Sequence, residues 1–589
     1  MDASTRTSLF KVVDSVMLVL GLLVMVSLVL EYGFYVSEEL LHALHIFDYT
    51  VLGYFIFQDL LKMSMVDDWR EYIRAHRVNF IFFGLLLLVF LIYNPWWQLV
   101  TFSEQLRQVP IRQIAKFYIV LTQGFILIST IFNAVKLGQK YGFYRFQPIT
   151  VLLGSFGVII LLGCGLLMMP KATAGESGIR FVDALFTSTS ATCVTGLIVV
   201  DTGTYFTRLG HWIILILMQA GGLGIMTLTA FFAVILGTGM SVRGRIVMRE
   251  LLAEESMARI GNTLLQVLGL TLFFETVGVV AMYHLFPVGS VAEGERLFTS
   301  LFHSVSAFCN AGFSTFSDSL MGFSDKFMLV STFGGLIIIG GIGFPVLVNL
   351  IGHRFYGTRG PFGKKKLRIN LHTYVVLWVS FLLIIAGAVW IYFTQFGAAA
   401  GWDFSFHALI GSFFQSITAR TAGFNTIDIG GMVVPAVIFI MILMFIGASP
   451  GSTGGGVKTS TFFLSLYALW ARFRGKNYLE YRRRTIPNKL AYRSFMVILS
   501  AQAVIAASFI LLTLSENLDP LMLLFESISA FGTVGLSMGA TPELSTFGRY
   551  VIIATMYIGR VGPLALVIAL GKEPMKRIYE YPKESIMLG

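Results

Sequence analysis

The chain has 589 residues, of which 56% are hydrophobic and 13% charged, whereas roughly 25% of an ordinary soluble protein is charged. Such a composition excludes a soluble globular protein and predicts an integral membrane protein. The formal net charge of +11 is concentrated in a few loops, which indicates membrane topology and not nucleic-acid binding.

Residues 1–145 contain four apolar segments, at residues 12–30, 47–63, 80–93 and 117–135. Their even number predicts an accessory four-helix transmembrane region that begins and ends on the cytoplasmic side. Asp59 in the second segment, a loop with Arg70 and Arg74, and basic residues before the fourth resemble a voltage sensor in outline. Because those basic residues do not recur at every third position of a helix, a packing or regulatory bundle is favoured.

The rest of the chain is predicted to form four units, at residues 146–250, 251–365, 366–485 and 486–589. Each unit has a long apolar segment, a short one and another long one. The segments are 149–169, 184–193 and 211–236; 263–285, 301–309 and 327–351; 374–393, 406–419 and 432–470; and 495–514, 521–530 and 550–570. The predicted fold is all-α, with four pseudo-symmetric helix–pore loop–helix units around a central pore.

Each short segment runs into a glycine, and a phenylalanine precedes that glycine by ten positions in all four copies. The glycines are Gly196, Gly312, Gly423 and Gly535. In the third copy the hydroxyl residues stand one position later, counted from Phe413, than in the others. Gly and Ser are also common where membrane helices pack closely, but four copies in equivalent places favour a shared function.

Extended backbone beside a glycine supplies the carbonyl oxygens that replace the hydration shell of a cation. A selectivity filter is therefore predicted at residues Thr192, Cys193, Val194, Thr195, Gly196, Cys309, Asn310, Ala311, Gly312, Arg420, Thr421, Ala422, Gly423, Gly532, Thr533, Val534 and Gly535. Apart from Glu526, no acidic residue lies between the phenylalanine and the glycine. Backbone carbonyls, and not a ring of carboxylates, are the expected ligands.

These four segments, with the run Gln219 to Gly224 and the glycine-rich stretch 447–458, resemble the superfamily of K⁺ transporters that contains the bacterial TrkH and KtrB and the plant and fungal HKT and Trk proteins. The resemblance covers residues 145–589. It implies that the four glycines form the filter, with K⁺ at the backbone carbonyls as the transported ion and no organic cofactor. In Na⁺-preferring relatives the first glycine is often Ser, so Gly196 favours K⁺.

Pro450 and the glycines after it predict a broken helix in the third unit. The resemblance implies a gate here, formed by Gly447, Ser449, Pro450, Gly451, Ser452, Gly454, Gly455, Gly456 and Lys458. Arg560, inside the last apolar segment, should face the pore because an unpaired charge in hydrocarbon is costly; by resemblance it belongs to the same gate. The alternatives are a packing kink for the stretch and a snorkelling arginine.

The expected function is a K⁺ uptake channel or transporter in the inner membrane, not an enzyme. A Na⁺-permeable or Na⁺/K⁺-symporting relative and a secondary transporter of an organic solute are the alternatives. Lipid headgroups are expected at the basic loops. The resemblance implies a homodimer and a separate cytosolic nucleotide-binding regulatory ring of the TrkA/KtrA type, while the termini are expected to be cytoplasmic and no nucleic acid is expected to bind.

Overall fold

The computed structural model describes residues 3–66, 68–75, 80, 84, 148–175, 178–236, 260–355, 369–398 and 405–562. This part of the chain is mostly helical, with one antiparallel hairpin that pairs Leu479–Tyr481 with Arg484–Ile486. The chain divides into two compact units. One comprises Met1–Arg145 and Met168–Gly178, and the other Phe146–Leu167 and Ile179–Gly589.

The smaller unit contains three described helices: α1 (Ala3–Gly33), α2 (Glu38–Ser64) and α3 (Trp69–Ala75). The prediction of a loop at Arg70 and Arg74 is wrong, because these residues lie in α3. Asp68 begins this helix by accepting a hydrogen bond from the Arg70 amide at 2.9 Å, as a capping residue does. The predicted third and fourth apolar segments lie almost entirely outside the described residues.

The larger unit contains fourteen described helices of seven residues or more. They are α4 (Pro148–Leu167), α5 (Phe181–Thr192), α6 (Arg208–Leu236), α7 (Ile260–Leu285), α8 (Glu293–Cys309), α9 (Phe327–Ile342), α10 (Phe344–Phe355), α11 (Leu371–Ile391), α12 (Phe406–Thr418), α13 (Val434–Phe445), α14 (Thr459–Phe473), α15 (Asn488–Ser515), α16 (Pro520–Gly532) and α17 (Thr546–Val561). A π-helical segment, Tyr392–Ala398, extends α11.

Three of the described helical stretches are long and apolar enough to cross a bilayer by themselves: Leu265–Leu285, Leu371–Gly397 and Asn488–Ser515. The short helices begin at capping residues. Ser405 caps α12 by accepting from the Ala408 amide, and Asp519 caps α16, which has Pro520 in its first position. Two helix starts differ clearly from the sequence prediction. The helix α8 begins at Glu293 and not at residue 301, because a charged first turn with Glu293 and Glu295 extends it, and α15 begins at Asn488 and not at residue 495.

The predicted continuous helix at residues 327–351 is wrong. The chain turns by 95° between α9 and α10, at Gly343, whose φ of 98° is a conformation that glycine adopts with little strain. Pro345 follows two residues later and cannot donate a backbone hydrogen bond to a continuing helix. The larger unit therefore has two interrupted helices of this kind, the other being the predicted break between α13 and α14, which is confirmed.

A packing contact recurs between each long helix and the short helix after it. Gly163, Gly278 and Gly387 leave room for the hydroxyls of Ser188, Ser304 and Ser416. These hydroxyls donate to the carbonyls of Ile160, Glu275 and Ile384, each at 2.7 Å. In the last copy Ser508 stands in place of the glycine, and its hydroxyl pairs with that of Ser527 at 3.4 Å. Small residues let the helices approach closely, and the same local geometry occurs three times, with a variant of it in the last copy.

An ion pair joins the first short helix to the last long one. Asp183 in α5 is buried and accepts hydrogen bonds from Arg549 in α17 and from Arg180, the latter at 2.9 Å. Arg549 also donates to the Pro542 carbonyl at 3.0 Å. Breaking a buried pair by removing one partner costs about 3–5 kcal/mol when the remaining charge is left uncompensated; here Arg180 still pairs with Asp183, so part of that cost is expected.

We therefore expect Arg549→Met to lower the melting temperature of the detergent-solubilised protein by several degrees. The matched control is Arg208→Met, which breaks the more exposed pair between Arg208 and Glu295 and should cost roughly 0–1 kcal/mol. Equal melting temperatures for the two variants would contradict a stabilising ion pair between α5 and α17.

Candidate functional site

Four turns with the same backbone conformation follow the four short helices. We call them glycine turns one to four; they end at Gly196, Gly312, Gly423 and Gly535. The four glycines have φ of 92°, 71°, 80° and 92°. The residue two positions before each glycine also has positive φ: Val194 at 58°, Asn310 at 60°, Thr421 at 77° and Thr533 at 49°.

In an ordinary strand successive residues point to opposite sides. Alternating left- and right-handed conformations instead turn successive carbonyls toward the same side. Non-glycine residues pay about 1–3 kcal/mol each for positive φ, so such a pattern at four places marks a site at which the orientation of the backbone oxygens matters.

The four glycines form a closed ring, which we call the glycine ring. A side chain on Gly196 would lie 2.5 Å from the carbonyl oxygen of Ala311, and one on Gly312 would lie 2.7 Å from that of Ala422. On Gly423 it would meet the Val534 carbonyl at 2.5 Å, and on Gly535 it would meet the Thr195 carbonyl. Each glycine thus packs against the carbonyl that precedes the next glycine, so a side chain at any of the four positions would displace the neighbouring backbone.

A hydroxyl near the end of each short helix fixes the turn behind it. In turn one the Ser190 hydroxyl donates to the Leu197 carbonyl at 2.7 Å and accepts from the Gly196 amide at 3.1 Å. Ser306 donates to the Phe313 carbonyl at 2.7 Å in turn two, and Ser529 accepts from the Gly535 amide at 3.2 Å in turn four. In turn three Thr418 does this by donating to the Phe424 carbonyl at 2.6 Å.

The third turn is one residue shorter than the others. The Ala422 amide donates to the carbonyl four residues back, whereas Thr195, Ala311 and Val534 donate to carbonyls five residues back. Alignment on Phe413 is consequently wrong for the helix: Phe414 is buried like Phe186, Phe302 and Phe525, while Phe413 is 38% exposed. The one-position shift of the hydroxyl residues noted in the sequence is thus offset by the shorter turn. All four glycines therefore reach the same place.

Two buried titratable side chains, to which the sequence analysis assigned no role, occupy the same place in α8 and α16. His303 Nε2 lies 3.0 Å from the Ser314 hydroxyl, and Glu526 accepts from the Thr541 hydroxyl at 3.0 Å and from Ser537. Each lies nine positions before its glycine and contacts the hydroxyl of the serine two positions after it. The one available signal was a polar residue at the same offset in both copies.

On one side of the glycine ring lies an open cavity of about 280 Å³. All four glycines line it, together with Ser314, Ser537, Asn425 and the carboxylates of Asp318 and Asp428. On the opposite side lies the 447–458 loop between α13 and α14. A side chain on Gly454 would meet the Thr421 hydroxyl, and one on Gly455 would meet that of Thr533. The glycines of this loop therefore allow it to touch turns three and four.

The loop is docked against the end of α9, a contact that sequence reasoning missed. The Ser449 amide donates to the Gly341 carbonyl at 3.0 Å, and the Phe344 amide donates to the Gly451 carbonyl at 2.9 Å. The Thr453 hydroxyl donates to the Phe308 carbonyl at 3.3 Å. The run of glycines before Pro345 was the signal in the sequence for this contact between the loop and α9.

Arg560 is buried within α17, with 4% of its surface exposed. Its guanidinium donates to the carbonyls of Thr453, in the loop, and Gly221, in α6. The nearby run Gln219 to Gly224 packs beneath turns one and two, since Gly221 faces the Thr192 carbonyl and Gly222 the Cys309 sulfur. Lys458 donates to the Gly454 carbonyl at 2.6 Å and closes the end of the loop.

The structure thus brings the residues named from the sequence for the filter and the gate into one neighbourhood. A model of the family described as TrkH, cation transport protein, matches residues 163–581. The chain belongs to the TrkH family of cation transport proteins. That places it among ion transporters and not among enzymes.

The chain is 38% identical over 453 residues to the Ktr system potassium uptake protein B of Bacillus subtilis. This alignment covers 76% of this chain and 97% of that protein. It is 35% identical to the potassium/sodium uptake protein NtpJ of Enterococcus hirae, over 76% of this chain and 98% of that protein. The fold resembles the crystal structure of the potassium transporter TrkH from Vibrio parahaemolyticus, with a TM-score of 0.58, 18% identity and 84% and 97% of the two chains covered.

We expect Gly196→Ser to lower the preference for K⁺ over Na⁺ by roughly tenfold, since the added atoms meet the Ala311 carbonyl and positive φ costs serine about 1–3 kcal/mol. Flux of each ion into liposomes measures the ratio. The control is Gly165→Ser in α4, where an added side chain meets no atom within 4 Å. An unchanged ratio in the Gly196 variant would count against the ring as the selective element.

Proposed function

We propose that this protein takes up K⁺ across a membrane along the axis of the glycine ring, with the backbone carbonyls of the four turns as ligands. The observation that carries the proposal is the alternation of positive φ at the same two positions of every turn. The relatives named as potassium uptake proteins support the choice of ion. In this proposal K⁺ is the cargo, and its hydration shell is replaced by oxygen atoms that the fold holds in place.

The proposed architecture has four helix–pore helix–helix units around this axis. It is supported by the recurring contact between a long helix and a hydroxyl of the short helix, and by the ring order of turns one, two, three and four. The units are α4 to α6, α7 to α10, α11 to α14 and α15 to α17. In this arrangement the C-terminal, negative end of each short helix faces the ion.

The 447–458 loop is the proposed gate. It touches turns three and four from the side opposite the open cavity, and Arg560 holds its Thr453 carbonyl. A loop of glycines and small hydroxyl residues has many accessible conformations, so it can leave the axis without unfolding α13 or α14. The positive charge of Arg560 beside the axis adds an electrostatic barrier to a passing cation.

A Na⁺-permeable relative is the second candidate, because NtpJ is named a potassium/sodium uptake protein and is 35% identical to this chain. Glycine at all four ring positions favours K⁺. Flux measured with K⁺ alone, Na⁺ alone and both together separates the candidates: selective K⁺ transport needs no Na⁺, whereas symport needs both. An organic solute is less suited, since adjacent turns are in direct contact around the ring.

We further propose that the open cavity faces outward and the loop faces the cytoplasm of a cell whose inner membrane holds the protein. The basic hairpin at Arg482, Arg483 and Arg484 supports this orientation. Lipid headgroups, a second copy of the chain and a cytosolic TrkA/KtrA-like ring are the proposed partners. The expected cytoplasmic termini and the basic loops at residues 243–249 and 359–368 lie outside the described residues.

Deleting residues 451–456 should raise basal K⁺ flux by about tenfold or more, because the segment that touches turns three and four is removed. Rubidium-86 uptake into liposomes under a K⁺ gradient measures it, and gel filtration establishes that the variant is folded. Thr332→Ala, which loses only a hydroxyl bonded within α9, is the control. Loss of flux in a folded deletion variant would contradict a gate.

A further inference from the structure

Arg420 places a second buried guanidinium beside the 447–458 loop. It stands three positions before Gly423 in turn three, where the other turns have Cys193, Cys309 and Gly532. Only the third turn therefore carries a charge at this position. The residue is 9% exposed, and a buried cation is costly unless it is hydrogen-bonded or paired.

The guanidinium finds neutral acceptors and no carboxylate among the described residues. Nη1 donates to the Ser380 carbonyl at 3.5 Å and Nη2 to the Ser380 hydroxyl at 3.3 Å, both in α11. Nη2 also donates to the Gly447 carbonyl at 3.4 Å, and Nε has no hydrogen-bond partner. Since well-formed bonds of this kind measure about 2.9 Å, the one contact with the loop, at the Gly447 carbonyl, is weak and holds the loop without locking it.

Gly447 lies where the two ends of the loop meet, a place that we call the neck. Its amide donates to the Val457 carbonyl at 2.9 Å, and the next amide, of Ala448, donates to the Gly455 carbonyl at 3.3 Å. These two bonds bring the ends of the loop together. A group that fixes the Gly447 carbonyl therefore fixes both strands of the neck.

The same turn also touches the far part of the loop. Thr421, the residue after Arg420, lies against Gly454, and its hydroxyl is 3.3 Å from the Asn310 side chain in turn two. Turn three consequently contacts the loop at the neck and at the segment beneath the ring. Displacement of the loop would be transmitted to turn three and, through Asn310, to turn two.

A small cavity of about 20 Å³ adjoins the guanidinium and is lined by Arg420, Ser380, Ala448, Gly341 and surrounding isoleucines. That is room for a single water molecule. A water bound there can accept from the guanidinium when the Gly447 carbonyl moves away. The cost of leaving the buried charge unpaired during opening is thereby reduced.

We propose that Arg420 is a positioning residue that holds the loop against the glycine ring through the Gly447 carbonyl and couples movement of the loop to turn three. This inference rests on the proposed function, because it requires ion flow along the ring and a gating role of the loop. Arg560 holds the Thr453 carbonyl and Arg420 holds the neck, so the loop is clamped by two cations from different parts of the fold.

The test is a double-mutant cycle read as rubidium-86 flux in liposomes. Arg420→Met should raise basal flux roughly three- to tenfold, the range expected for losing one weak charged hydrogen bond. The same substitution in the protein that lacks residues 451–456 should change flux less than twofold, since little remains to be held. Arg420→Lys, which keeps the charge but not the planar fork, should fall between Met and wild type.

Two further variants keep the test decisive. Ser380→Ala removes one hydrogen-bond acceptor of the Arg420 guanidinium and introduces no new charge. It should therefore raise basal flux, but less than Arg420→Met does. Arg208→Met removes a guanidinium on an exposed ion pair and should leave flux unchanged. Equal effects of Arg420→Met with and without the loop, or lower flux in both, would overturn the inference. Absence of K⁺ flux in wild type would instead overturn the proposed function.

Discussion

The positive φ at two alternate positions of each glycine turn is the constraint on which the rest of the structure depends. At four of the eight positions the residue is not glycine, and Val194 is β-branched, the type for which such a conformation is most strained. Four surrounding features support the conformation: the hydroxyls of Ser190, Ser306, Thr418 and Ser529, the close approach of neighbouring turns, the small residues behind the short helices and the loop beneath. The fold can be understood as the scaffold that maintains this backbone.

Four-fold repetition is retained at the glycine ring and lost away from it. The third turn reaches the ring with one residue fewer, carries the buried Arg420, and belongs to the unit whose second long helix is interrupted by the 447–458 loop. In the proposed function, a ring of like backbone surrounded by unlike side chains separates two tasks. The carbonyls are equivalent for the ion, and the 447–458 loop on one side of the ring is the gate.

Apolar length and the repeated glycines predicted most of the described helices and the place of the turns, because hydrocarbon burial and positive φ restrict the residues that can serve there. Pro450 likewise predicted the break after α13. The register of α12 was not predictable, since Phe413 and Phe414 differ only in which face of the helix they occupy. The bend at Gly343 was missed because its proline lies in an otherwise continuous apolar run, and α8 was predicted too short because its first turn is polar.

The contact between Arg420 and Gly447 lies beyond sequence reasoning for a similar cause: the two residues are 27 positions apart and meet only once α11, α12 and the loop have packed.

The most direct test of the account is the position of a heavy monovalent cation. Crystals of the protein grown in K⁺ and exchanged into Tl⁺ should show anomalous density on the axis of the glycine ring, between Gly196, Gly312, Gly423 and Gly535. Density elsewhere with none in the ring, in protein that transports Tl⁺ in liposomes, would contradict it.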